Sequence, residues 1–248
     1  MHKMTTLSQR DEETYLSFLK LGILRPLEEG LSKRPKLMIP VFCSDGAHFS
    51  HKVSAFLRGA DIGRDSTDTL FHATLLNGGV LNLSVLFPTI KTFQLWLNGL
   101  IVLKNIDQAL AMKGNTFHQL PLIGHHPCGV AATLGLSLDQ NVEWVIRAQI
   151  RLLKRYPKEA HGASVKCYMH ICRTNDAGEI ERTMFFIDRT AWDAYLRSPK
   201  NEQRLIHFLA FRLLTILIYR QQRRMKLAMQ NMEKSIITFC KKWTNPKL

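Results

Sequence analysis

Two short apolar runs constrain this chain more than any other feature, because each ends in a polar loop that carries metal-competent side chains. Residues 37–42 read Leu-Met-Ile-Pro-Val-Phe and give way to Cys43-Ser44-Asp45-Gly46. Residues 120–123 read Leu-Pro-Leu-Ile and give way to Gly124-His125-His126-Pro127-Cys128-Gly129. Runs this short and apolar suit buried strands, although Pro40 counts against the first.

Helical spacing lies between and after the two runs. The spacing of Ile90, Phe93, Leu97, Leu100, Ile101 and Leu103 fits a mostly buried helix over residues 89–112. Val142, Ile146, Ile150 and Leu153 fit another further on, with Asp139 as the expected N-cap. Leu70-Phe71 starts another strand, and Asn77-Gly78-Gly79 marks a turn. Residues 163–171 alternate as a strand, Asn175-Asp176-Ala177-Gly178 turns, and residues 184–187 return.

Strand and helix in this order predict an α/β fold: an open, mostly parallel central sheet with flanking helices and an antiparallel edge strand. A C-terminal helical extension completes it. The expected organisation is an N-terminal helical segment (1–36), a zinc domain (37–196) and a basic helical extension (197–248). In the first segment a helix is expected over residues 11–25, ended by Pro26 and followed by a linker.

The 248 residues suffice for one such domain with appended helices, and a 46% apolar share permits a full core. Five cysteines, odd in number and scattered, do not form a disulfide framework. The first fifteen residues are mostly polar and lack the apolar stretch of a secretory signal. A cytoplasmic protein is expected.

The net charge of +14 is uneven. From Arg197 onward twelve Lys and Arg face two acids, Glu202 and Glu233. There Met225, Met229, Met232, Ile236, Phe239 and Trp243 step by four and three. The expected arrangement is a helix packed on its own domain. A nucleic-acid or membrane-surface contact through Arg220, Arg223, Arg224 and Lys226 ranks below it.

In an open α/β sheet, loops beyond the strand C-termini share one crevice. Cys43 would reach it from one strand, and His125 and Cys128 from another. Two thiolates and an imidazole suit zinc, and three protein ligands leave a fourth tetrahedral position open. No Gly-x-Ser-x-Gly elbow and no phosphate-cradling glycine loop competes with this reading. Cys167 and Cys172 are expected to be buried or partly exposed thiols.

Cys43-Ser44-Asp45 resembles the first motif of the β-class carbonic anhydrases, Cys-x-Asp-x-Arg. Gly124-His125-His126-Pro127-Cys128-Gly129 resembles their second, Gly-His-x-x-Cys-Gly. Order and strand context agree, and the resemblance spans about residues 37–188. It implies a zinc lyase that hydrates carbon dioxide reversibly to bicarbonate. Cys43, His125 and Cys128 would hold Zn2+. Asp45 would accept a hydrogen bond from zinc-bound hydroxide, or take the fourth position itself. A homodimer or higher homo-oligomer is also implied.

The sequence departs from the family at Ala47, where the first motif ends in Arg, and the family's Arg-Asn between the motifs is absent. Arg58 or Arg64 would have to substitute as partner to Asp45. His48 reads as an exposed loop histidine, and His126 as a supporting or exposed one. The alternative to catalysis is a non-catalytic zinc-binding protein on the same fold, with a basic C-terminal interaction surface.

Overall fold

A computed structural model describes residues 7–30, 37–44, 51, 53–54, 70–86, 89–112, 119–156, 165–175 and 177–244. The first helix, α1 (Gln9–Lys20), begins at Ser8, whose hydroxyl accepts the Asp11 N–H. It stops well before Pro26. Gly22 adopts a φ of 68°, a left-handed turn that glycine enters without penalty, and the chain then extends as β1 (Leu24–Pro26). The expected helix over residues 11–25 therefore ends five residues earlier, and its last two residues open a strand instead; the expected linker, Lys33-Arg34-Pro35, lies outside the described residues.

Among the described residues one sheet has the order β1-β8-β7-β6-β3-β5. It comprises β1, β3 (Val41–Cys43), β5 (Thr74–Leu76), β6 (Leu120–His126), β7 (Val165–Thr174) and β8 (Ile180–Ile187). The pairs β3–β5, β3–β6 and β6–β7 are parallel. The pairs β7–β8 and β1–β8 are antiparallel. The expected α/β architecture is present; the one strand that runs against the others, β8, lies next to the edge, because β1 pairs outside it.

Pro40 splits the first apolar run. Leu37–Met38 (β2) pairs with Leu70–Phe71 (β4) in a separate two-stranded ribbon, and only the residues after Pro40 enter the main sheet. Proline offers no N–H to a ladder; its carbonyl still accepts the Thr74 N–H.

Three long helices cover the sheet region and extend beyond it: α2 (Phe93–Met112), α4 (Leu138–Arg155) and α6 (Glu202–Thr244). Two short ones are α3 (Gly129–Thr133) and α5 (Arg189–Leu196). Helix α4 is capped by Ser137 rather than Asp139. The Gln140 side chain accepts the Ser137 N–H, and Asp139 instead receives Arg204 of α6. Asp139 lies two residues past the cap position, inside the first turn.

One large core joins both ends of the chain. Tyr15 and Phe18 of α1, Ile23 and Leu24, Leu120 and Leu122 of β6, Val142 and Val145 of α4, and Phe208 of α6 belong to it. The segment before residue 37 thus packs in the same core as the strands. A smaller cluster on the other face gathers Met38, Phe42, Ile123, Tyr168 and Met184.

Candidate metal centre

The switch point of the sheet lies between β3 and β6. From β3 the chain proceeds outward to β5, whereas from β6 it proceeds the other way to β7. Crevices at such points, beyond the strand C-termini, are where open α/β sheets bind ligands. Cys43 is the last residue of β3, and His125 is the penultimate residue of β6. Cys128 follows the Pro127 turn and is the N-cap of α3.

The three side chains converge. One sulfur from each cysteine and a ring nitrogen of His125 lie within 4.8 Å of one another. They are 6%, 4% and 2% exposed respectively, so bulk water does not share the site. Leu81 and Ala131 pack with the two cysteines, and Val130, Leu136 and Trp144 close around them.

Strand β6 runs further than the sequence suggests. Gly124, His125 and His126 are ladder residues paired with Met169, His170 and Ile171, not loop residues. This settles which histidine does what, because successive strand side chains leave opposite faces. His125 shares the parity of Ile123 and the smaller cluster. His126 shares that of Leu122 and the large core. His126 is buried, which removes the exposed alternative of the two expected for it, and its Nε2 lies 3.2 Å from Asp11 Oδ2.

The His125 ring is fixed in tautomer. Its Nδ1 is 3.0 Å from the Pro127 carbonyl oxygen, which only accepts, so Nδ1 carries the proton. Nε2 then holds the lone pair, the arrangement that suits a metal ligand. The His125 carbonyl accepts the Asn141 side-chain amide at 2.9 Å, tying β6 to α4.

Cys43 is held from below by glycine. Gly79 has φ +45°, and a Cβ there would stand 2.3 Å from the Cys43 nitrogen. Only glycine permits this approach. Ser44 continues the link: its N–H donates to the Leu76 carbonyl and its hydroxyl to Asn77 Oδ1.

The cysteine pair is strained electrostatically as a pair of anions. The Cys128 thiol is pushed far above its usual range, first by its hydrogen bond with Cys43, then by burial and by the Cys43 charge. The amides of Val130 and Ala131, at the start of α3, pull the other way. Two buried sulfurs in contact need a cation to become thiolates together. The donor set is therefore compatible with zinc, which thiolates bind at about 2.3 Å and imidazole at about 2.0–2.1 Å.

Asp45, Ala47, His48, Arg58 and Arg64 lie outside the described residues. Cys167 and Cys172 are buried and stand apart from the trio. Burial raises both thiols, Cys167 to about 12. Gly79, Asn141 and Asp11 were not legible as site residues, since their contacts with the ligand-bearing segments are tertiary. The Asn77-Gly78-Gly79 turn was the one partial signal.

Fold and site together define an α/β protein with a buried Cys2His group that could hold a metal ion. Compared with family models, curated proteins and solved structures, the chain matches none.

Proposed function

We propose that the chain is a zinc-dependent lyase of the β-carbonic-anhydrase kind, hydrating carbon dioxide reversibly to bicarbonate. The observation that carries this reading is the convergence of Cys43, His125 and Cys128 at the sheet's switch point, in the order of that family's two motifs, although the segment between them is longer than the family's.

Zinc bound there would supply Lewis acidity, bringing water ionisation to about pH 7. The chain's own groups have separate tasks. Cys43 and Cys128 contribute anionic charge. The Nδ1–H of His125, anchored on Pro127, aims Nε2. Leu81, Ala131 and Trp144 supply apolar walls next to the sulfurs, apt for a small uncharged gas. Asp45 is the expected acceptor for a proton on the nucleophile.

Metal quantification combined with stopped-flow hydration tests the proposal. Stoichiometric zinc, and an acceleration that disappears in Cys128→Ala, are expected. Zinc-replete protein without activity on carbon dioxide would overturn the catalytic reading.

Ala47 favours a second reading, a non-catalytic zinc protein in which Asp45 completes the coordination. Zinc K-edge absorption separates the two. A light ligand that changes between neutral and alkaline pH supports catalysis, whereas a pH-insensitive carboxylate supports the closed site.

The same reading implies a homodimer or larger homo-oligomer, measurable by sedimentation. That Cys43, Cys128, Cys167 and Cys172 stand outside any disulfide fits a reducing compartment such as the cytoplasm. No helix among the described residues is long and apolar enough to cross a membrane.

A further inference from the structure

Helix α6 has 43 residues, a length of about 65 Å at ~1.5 Å per residue. Its first turns are anchored. Phe208, Phe211 and Thr215 are buried, and Arg204 bridges to Asp139 and Glu143 of α4. Burial then ends. From Arg220 to Ser235 every described side chain is exposed, so the expected helix packed along its length on the domain is not found.

The distal half is two-faced. Leu214, Ile218, Met225, Met229 and Met232 recur at helical spacing and form one stripe, and the sequence continues that spacing with Ile236, Phe239 and Trp243. Met225, Met229 and Met232 are 51%, 66% and 60% exposed. Arg220, Arg223, Arg224 and Lys234 fall on the opposite side at about 100° per residue. Between residues 220 and 244 seven Lys and Arg stand against Glu233 alone.

The charge decides what this stripe fits. Two copies of α6 laid together would juxtapose like charges, without the acidic partners that a helix pair uses along its flanks. A nucleic acid would use the cations but leave the methionine stripe in water. An anionic lipid surface satisfies both faces at once: the stripe enters the acyl boundary and the cations meet phosphates.

We infer that the distal half of α6 is an interfacial helix that docks the protein on anionic membranes. It lies along the surface rather than through it, in keeping with the lack of a spanning helix among the described residues.

Full-length protein and vesicles test this by co-sedimentation. Binding is expected to vesicles of phosphatidylcholine mixed with phosphatidylserine, to be negligible on phosphatidylcholine alone, and to weaken as salt rises. Arg220→Glu with Arg224→Glu is expected to weaken it by at least about thirtyfold, at roughly fivefold for each cation. Met225→Glu with Met229→Glu is expected to abolish it. All four positions are exposed, and circular dichroism and metal content of each variant check that the domain is intact.

Three outcomes would overturn the inference. The first is no binding to anionic vesicles. The second is binding indifferent to the methionine changes. The third is a methionine-dependent self-association, or a tighter salt-dependent complex with single- or double-stranded nucleic acid, in place of lipid binding.

Discussion

His126 Nε2 and Asp11 Oδ2 lie 3.2 Å apart across 115 residues of chain, and this contact ties α1 to the segment that carries two candidate zinc ligands. Burial lowers the His126 pKa and outweighs the opposing pull of Asp11, so the ring is neutral. The contact is therefore a hydrogen bond from Nε2–H to a carboxylate rather than an ion pair. Asp11 also accepts the Leu138 N–H at 2.8 Å and the Ser8 hydroxyl at 2.8 Å. Burial disfavours its charge, but these donors and His126 together hold its pKa below the usual value.

Asp11→Ala should destabilise the fold by about 3 kcal/mol, because it strands two buried donors at once. Asp11→Asn should cost less, since its amide oxygen still accepts. Urea denaturation of the three proteins checks the order. Equal stability of all three would mean that water replaces the carboxylate.

Gly79→Ala should remove metal binding. The new Cβ would meet the Cys43 backbone at 2.3 Å, and φ +45° is strained for alanine. A loss of about 2–3 kcal/mol in stability is expected, with zinc content falling in parallel. Retained stoichiometric zinc would show that the Cys43 strand end can shift without consequence.

Chelation should lower the stability of the zinc-loaded protein by about 3 kcal/mol or more at free zinc 100-fold above its Kd. In Cys128→Ser the same chelator should change the melting temperature little. His125→Ala should behave similarly. A chelator shift that persists in Cys128→Ser would place the ion elsewhere.

Asp188 gives the fold a testable acid dependence. It caps α5, accepting the Thr190 and Ala191 N–H groups, and it pairs with Arg25 at 2.9 Å. Burial opposes its charge, but these donors hold its pKa below the usual value. Its stabilisation is fully present above the unfolded value of about 3.9 and is lost as pH falls through the lower folded value. Asp188→Asn should therefore flatten the decline in stability between about pH 5 and 2. An unchanged slope would assign the acid sensitivity to other carboxylates.

The legible part of the site was the part written in local spacing. His125 and Cys128 are three residues apart at one strand end, and Cys43 follows another short apolar run, so their convergence followed from how parallel sheets expose their C-termini. The strand boundary at His126 was not legible. Gly124-His125-His126-Pro127 has loop composition, yet pairing with β7 extends the strand through it. Propensity yields to a ladder whose hydrogen bonds are all available.

By itself, the sequence determined the alternation of strand and helix, which three metal-competent side chains share one crevice, and the two-faced pattern of the last helix. These depend on residue type and on periods of two and 3.6, which are local properties of the backbone. Tertiary structure alone decided that β1 closes the sheet's antiparallel end and that Gly79 lies beneath Cys43. It also decided that His126 turns to Asp11, and that α6 outruns its domain. Each of these is a contact, or the end of contacts, between segments far apart in the chain. Close packing selects such contacts from many that the same local patterns allow.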